Sequence, residues 1–157
     1  MNRRKKVIAI NWLAPCSGSP RPTVNALTAS LRTPVRSFRD LVVWQRGMDL
    51  AVEVYRLTDR LPPSEQFGLR VQARRAASSI PTNIAEGVGR GTTREYLRSL
   101  GIANGSLKEL ETQLTLGVRV QFYESDDAGE AFRLAEEVSK MLGALMRTLR
   151  KRENRPR

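Results

Sequence analysis

Residues 79–98 read SIPTNIAEGVGRGTTREYLR. One proline, three glycines and three arginines crowd into this stretch, and the sequence on either side settles into long apolar repeats of helical period. Pro81 lacks a backbone donor and opposes the carbonyl one turn back, at Ala77, so a helix passing through it should kink. A single kinked helix reaching about residue 86 is favoured over two shorter ones abutting at Ser79. Gly87, Gly89 and Gly91 then make a turn, and Thr92 with Glu95 has the form of a capping box that starts the next helix. The stretch is thus a helix end, a turn and a capped start.

Working outward, the helix that carries Pro81 begins after Ser64, with Glu65 near the positive end of its dipole. Phe67, Leu69, Val71, Ala73, Ala76, Ala77, Ile80 and Ile84 supply its apolar content. Before it, Ser37 and Asp40 form another capping box. Leu41, Trp44, Met48, Val52 and Tyr55 then recur at three- and four-residue spacing, on one face of a helix. Leu57 and Leu61 extend that surface until Pro62-Pro63 stops it, giving a first helix over about residues 38–61.

Downstream, Leu97, Leu100, Asn104, Leu107, Glu111, Leu114 and Val118 form a heptad-like series. A buried Asn104 would fix helix register, and a buried Glu111 would need a partner. Gly101 and Gly105 permit close helix approach at roughly 1 kcal/mol each in helix propensity. Ser125-Asp126-Asp127 opens a fourth helix, in which Ala135, Val138, Leu142, Leu145 and Leu149 repeat, flanked by Phe132, Met141 and Met146. No strand-like alternation competes. The fold class expected is all-α: an up-down-up-down antiparallel four-helix bundle over residues 38–150. Val42, Val43, Trp44, Leu57 and Leu116 add apolar surface beyond the main stripes, which points to self-association.

A chain of 157 residues suits one domain. No apolar run approaches the ~20 residues of a membrane-spanning helix, so a soluble protein without membrane contact is expected. The net charge of +11 lies in the ends: residues 1–37 carry +7, residues 150–157 carry +4, and residues 38–149 balance at zero. With Pro15, Pro20, Pro22 and Pro34 and no apolar period, residues 1–37 read as a disordered basic arm, and residues 151–157 as a basic tail. The alternative is that the arm is an over-long start to a domain beginning near Phe38. The opening MNRRKKVIAINWLAPC superficially resembles a secretory signal, but Asn11 interrupts the apolar stretch and Pro15 sits badly for cleavage or lipid attachment at Cys16. A cytoplasmic protein is the expectation.

Histidine is absent and Cys16 is the only cysteine, which removes Ser-His-Asp and Cys-His catalysis, histidine- or cysteine-liganded metals and intrachain disulfides. Neither a catalytic site, a metal nor a cofactor is expected, and the protein should not be an enzyme. GVGRG lacks the preceding strand and the Lys-Ser/Thr pair of a phosphate loop. Glu86 beside Asn83 has no second carboxylate at a credible spacing, so it reads as a buried hydrogen-bonding residue that fixes the turn. Six arginines gather in residues 69–98: Arg70, Arg74, Arg75, Arg90, Arg94 and Arg98. They form either a basic stripe suited to phosphates or an acidic protein, or a solvated face with local salt bridges. Aromatic residues are few, so stacking of single-stranded bases is not the obvious mode.

At SIPTNIAEGVGR the sequence resembles a known family. FRDLVVWQRGMDLAVEVY and QFGLRVQARRAASSIP before it, and REYLRSLGIANGSLKELETQL after it, fit the same pattern. It looks like the bacterial four-helix-bundle proteins encoded in intervening sequences of 23S ribosomal RNA genes, to which the accessory variability proteins of diversity-generating retroelements are similar. The resemblance covers roughly residues 38–150. It implies a barrel-shaped homopentamer without enzymatic activity; the retroelement members bind nucleic acid, RNA or DNA, and a reverse transcriptase. It also implies that Pro81, Asn83, Glu86 and Gly87 belong to the shared motif, and that the arginines line the assembly. The alternative within the resemblance is a structural or protein-interaction module with no nucleic-acid role. The long basic arm departs from the family pattern.

Overall fold

The computed structural model describes residues 37–154. The arm expected over residues 1–37 lies outside the described residues except for Ser37, and so do the last three residues of the expected tail.

Four long helices account for most of the described chain: α1 (Val42–Thr58), α2 (Leu69–Gly89), α3 (Thr93–Arg119) and α4 (Ser125–Glu153). No strand occurs among the described residues. Single 3₁₀ turns at Phe38–Asp40 and Pro63–Gln66 precede α1 and α2. The helices pack as neighbours α1 on α2, α2 on α3, α3 on α4 and α4 on α1, with the α2–α3 contact the most extensive. Leu50, Ile80, Ile84, Leu100, Leu107, Leu110, Leu114 and Leu142 are the largest fully buried side chains, so every helix contributes to one core.

The helix ends follow from local chemistry. The Ser37 hydroxyl accepts from Arg39 N at 3.2 Å and the Asp40 carboxylate accepts from Ser37 N at 3.0 Å, but this box closes only one 3₁₀ turn. Leu41 is extended, and α1 starts after it rather than at residue 38. At the far end Thr58 Oγ1 donates to Val54 O at 2.7 Å, and α1 stops there, short of the expected Leu61. Likewise Pro63–Gln66 is a separate turn, and α2 begins at Leu69, whose N–H donates to the Glu65 carboxylate at 2.9 Å.

α2 runs unbroken through Pro81 to Gly89. The expected three-glycine turn shrinks accordingly: Gly87 and Gly89 are helical, and only Gly91, at φ +75°, turns the chain. Thr92 Oγ1 accepts from Glu95 N and donates to the Glu95 carboxylate, which caps α3 without the reciprocal bond of a full box. At the other end of the chain α4 continues to Glu153, so the first residues of the expected 151–157 tail are helical. Asp126 and Asp127 at its positive end and Arg150, Lys151 and Arg152 at its negative end favour that length.

The expected inward face of α1 is the main correction. Val43, Gly47, Leu50, Ala51, Val54 and Leu57 are buried, whereas Val52 is 56% exposed, Tyr55 is 46% exposed, and Trp44 and Met48 are half-buried. Gly47 lies on the buried face, where a β-carbon would touch Ile80 and Pro81 side-chain atoms at 3.6 Å, an ordinary contact distance, so the position sits in the α1–α2 seam. In α3 the core takes Ala103 and Leu110 instead of Asn104 and Glu111; Asn104 is half-buried and Glu111 pairs with Lys108 at the surface. Phe67, at 85% exposure, and Val71 also lie outside the core.

Candidate functional site

The six arginines do not act as one stripe. Arg70 donates to the Leu61 carbonyl, which holds the chain between α1 and α2. Arg74 reaches the end of α1: Nε donates to Thr58 Oγ1 at 2.8 Å, and NH2 donates to Tyr55 O at 3.2 Å and to the Asp59 carboxylate at 2.6 Å. Its guanidinium also lies 4.6 Å above the Tyr55 ring. Arg90 pairs with Glu86 one turn back, and that hydrogen bond raises the arginine's pKa further. Arg75, Arg94 and Arg98 are exposed and make no ion pair within the described residues.

Two of the six, Arg70 and Arg74, are therefore structural; Arg90 is held in a surface pair, and Arg75, Arg94 and Arg98 face solvent unpaired. Arg74→Ala should cost about 2–3 kcal/mol in urea denaturation, since it removes charge-assisted bonds and leaves the buried Thr58 hydroxyl with one partner fewer. Arg75→Ala should change stability by no more than about 0.5 kcal/mol.

The motif residues have separate duties. Pro81 is buried against Gly47 and shapes the α1–α2 contact. Asn83 Nδ2 donates to Ser79 O at 2.8 Å and to Ser79 Oγ at 3.0 Å, and Ser79 Oγ lies 2.9 Å from Ser106 Oγ on α3. This polar chain ties α2 to α3. Glu86 is exposed and does not take the buried role expected of it, because its side chain leaves the α2 surface toward Arg90. Gly87 is buried, and a β-carbon there would sit 2.5 Å from Tyr96 Cδ2 and 3.0 Å from Ser99 Cβ.

Tyr96 fills the space that Gly87 leaves open. Its hydroxyl is buried without a hydrogen-bond partner, and burial pushes its pKa up to about 12. Unfolded tyrosine ionises near 10, so the folded state holds this proton more tightly. That contribution to stability is complete below pH 10 and is lost as pH rises toward 12. Tyr96→Phe should leave stability unchanged or raise it by about 1 kcal/mol at neutral pH, because an unpartnered buried hydroxyl is removed. It should also lessen the alkaline loss, as thermal melts between pH 9 and 12 would record.

An apolar groove of about 660 Å³ runs between α1 and α2. Trp44, Met48, Ala51, Val52 and Tyr55 form one wall, and Ser78, Pro81, Thr82 and Ala85 the other. This is the stripe that periodicity directs inward. Of the surplus apolar residues, Val43 and Leu57 belong to the core, Trp44 lines this groove, and Leu116 is exposed on α3. Among the described residues no three His, Cys, Asp or Glu side chains are grouped to hold a metal ion. No described helix is long and apolar enough to cross a membrane.

The family model described as 23S rRNA-intervening sequence protein matches residues 39–144. The chain belongs to that family. The matched span includes the Gly47–Pro81 contact, the Asn83–Ser79 tie and the Gly87–Tyr96 contact. A solved structure from Bacteroides thetaiotaomicron, described as a protein with unknown function from the S23 ribosomal protein family, is similar in fold. Its TM-score is 0.63 at 24% identity, covering 67% of this chain and 98% of that one. The search of curated proteins found no match.

Proposed function

We propose that this family member is a non-enzymatic, self-associating scaffold: an up-down-up-down bundle that closes into a barrel-like homopentamer and binds nucleic acid. The observation that carries this reading is the outward apolar groove on α1 and α2, whose lining an isolated bundle would leave wet. The helix order is supported by pairs of contacts. Arg46 lies 3.6 Å from Glu137 and Arg60 lies 2.7 Å from Asp127, so α1 and α4 meet in opposite directions. Gly87 adjoins Tyr96 and Ser79 adjoins Ser106, which gives α2 and α3 the same relation. The five-residue link after Arg119, with Tyr123 OH donating to Leu114 O at 3.3 Å, favours it for α3 and α4.

A second apolar region supports a ring. Phe67, Val71, Leu116 and Val120 are exposed on α2, α3 and the segments flanking them, away from the groove's α1 wall. Two unlike patches suit head-to-tail contacts, which close into cyclic assemblies when the rotation allows. The nucleic-acid part rests on Arg75, Arg94 and Arg98, whose charge is free for phosphates, and on the net +11 of the whole chain.

Sedimentation equilibrium tests the assembly directly: a mass near five times 17.7 kDa is expected, and a monomeric mass at micromolar concentration would sink it. The reading extends to a cytoplasmic location and, in a retroelement setting, to a reverse transcriptase as partner. A neighbouring reverse transcriptase gene with paired variable and template repeats would favour that setting, and a position inside a ribosomal RNA gene would count against it. One observation favours a purely structural module, namely the zero net charge of residues 38–149.

A further inference from the structure

The zero net charge of the bundle conceals a strong axial asymmetry. With the helices in up-down order, the end of α2, the start of α3 and the end of α4 share one pole. Residues 86–98 contribute Arg90, Arg94 and Arg98 against Glu86 and Glu95, and residues 147–153 contribute four bases against Glu153, a net +4. The opposite pole gathers residues 59–65 and 119–130, where Asp59, Glu65, Glu124, Asp126, Asp127 and Glu130 outweigh Arg60 and Arg119, a net −4. Ser37 opens the fold and Glu153 closes α4 at the basic pole.

We propose that this pole, rather than an arginine stripe along the side of the bundle, is the site that grips the phosphate backbone of a nucleic-acid strand. The proposal deepens the nucleic-acid reading above and rests on it and on the up-down order. Charge without an apolar anchor is what distinguishes the site. None of the seven exposed large hydrophobic residues falls within residues 37–41, 86–98 or 147–153. Protein interfaces set their arginines among large aromatic and apolar anchors in desolvated pockets, whereas the arginines of this pole have no exposed large apolar side chain within these segments. A polyanion needs no such anchor. Arg94 with Arg98, and Arg147 with Lys151, repeat at four residues, an axial step of about 6 Å. That step approaches two nucleotide rises of about 3.4 Å along a strand. Without stacking aromatics, binding should be to backbone and indifferent to sequence.

The test is fluorescence anisotropy of the full chain with labelled mixed-sequence RNA and DNA 20-mers, between about 50 and 200 mM KCl. Three proteins are compared with wild type. The first carries Arg147→Gln, Arg150→Gln, Lys151→Gln and Arg152→Gln, all exposed positions where glutamine keeps helix propensity. The second carries Arg94→Gln and Arg98→Gln, at the same pole on another helix. The third removes four exposed cations elsewhere, none of them among the arginines invoked for phosphates above: Arg56→Gln, Lys108→Gln, Arg119→Gln and Lys140→Gln. Each lost phosphate contact should flatten the log–log salt slope by about 0.7–0.9. The first protein should therefore lose a slope of about 3 and at least about tenfold in affinity, and the second a slope of about 1.5. The third should stay close to wild type. Equal weakening in the first and third proteins would overturn the pole while leaving nucleic-acid binding intact. If wild type fails to bind at 50 mM KCl, the nucleic-acid reading falls and takes the pole with it. Unchanged affinity in the first protein, together with an altered sedimentation mass, would mean that the basic pole meets the acidic pole of another copy, and the proposal would be wrong.

Discussion

Gly87→Val should lower the stability of the fold by about 2–4 kcal/mol, enough to shift thermal unfolding down by roughly 10 °C. A side chain on this residue gains helix propensity, up to about 1 kcal/mol for alanine. Against that gain stands contact with a tyrosine ring that cannot withdraw. The added β-carbon meets Tyr96 Cδ2 at 2.5 Å and Ser99 Cβ at 3.0 Å, and the two further methyls of valine enlarge the overlap. Neither neighbour is the tip of a flexible chain. Overpacking of this kind typically costs 1–3 kcal/mol, and the restricted valine rotamer in a helix adds to it. Gly89→Ala is the matched control, because nothing lies within 4 Å of its β-position. It should be neutral or stabilising by up to about 1 kcal/mol. Circular dichroism melts of both variants decide the matter. A Gly87→Val protein as stable as wild type would show that the α2–α3 contact is looser than described.

Val52→Glu should reduce the proposed assembly to a 17.7 kDa protomer while the helical signal is retained. Val52 is 56% exposed in the protomer and lines the α1–α2 groove, so a carboxylate there is harmless to the isolated bundle. Covered by a neighbouring subunit, the same carboxylate loses its water without gaining a cation, at a cost of several kcal/mol. Every 1.4 kcal/mol is tenfold in affinity, so the dissociation constant should rise by about three orders of magnitude or more. Val52→Ala trims apolar area without adding charge and should weaken association far less. Light scattering at several concentrations separates these cases. A Val52→Glu protein with the wild-type mass would move the interface off this groove.

Helix number and the Thr92 cap were legible because each depends on a few adjacent residues, whereas the Ser37 box closes only a 3₁₀ turn and α1 ends at Thr58, before Pro62. Contacts between helices were less so. α1 carries two apolar stripes, Val43, Leu50, Val54 and Leu57 on one and Trp44, Met48, Val52 and Tyr55 on the other. Periodicity finds both and does not say which faces in. The available signal was Gly47, a residue costly within a helix unless something lies close to it. The arginines posed the same difficulty. Arg74 and Arg75 are adjacent in sequence, yet one reaches Thr58 and Asp59 on another element while the other faces water. Only the position of α1 separates them. Glu86 failed for a related reason: the lack of a second carboxylate at a credible spacing suggested a buried hydrogen-bonding role, while its helical position sends it outward to Arg90.

The up-down order proposed above carries a practical consequence. On that order Ser37, before the first turn, and Glu153, at the end of the last helix, lie on the same side of the bundle. Labels placed at these two residues should report on one and the same pole, and labels at Phe67 and at the start of α4 on the other.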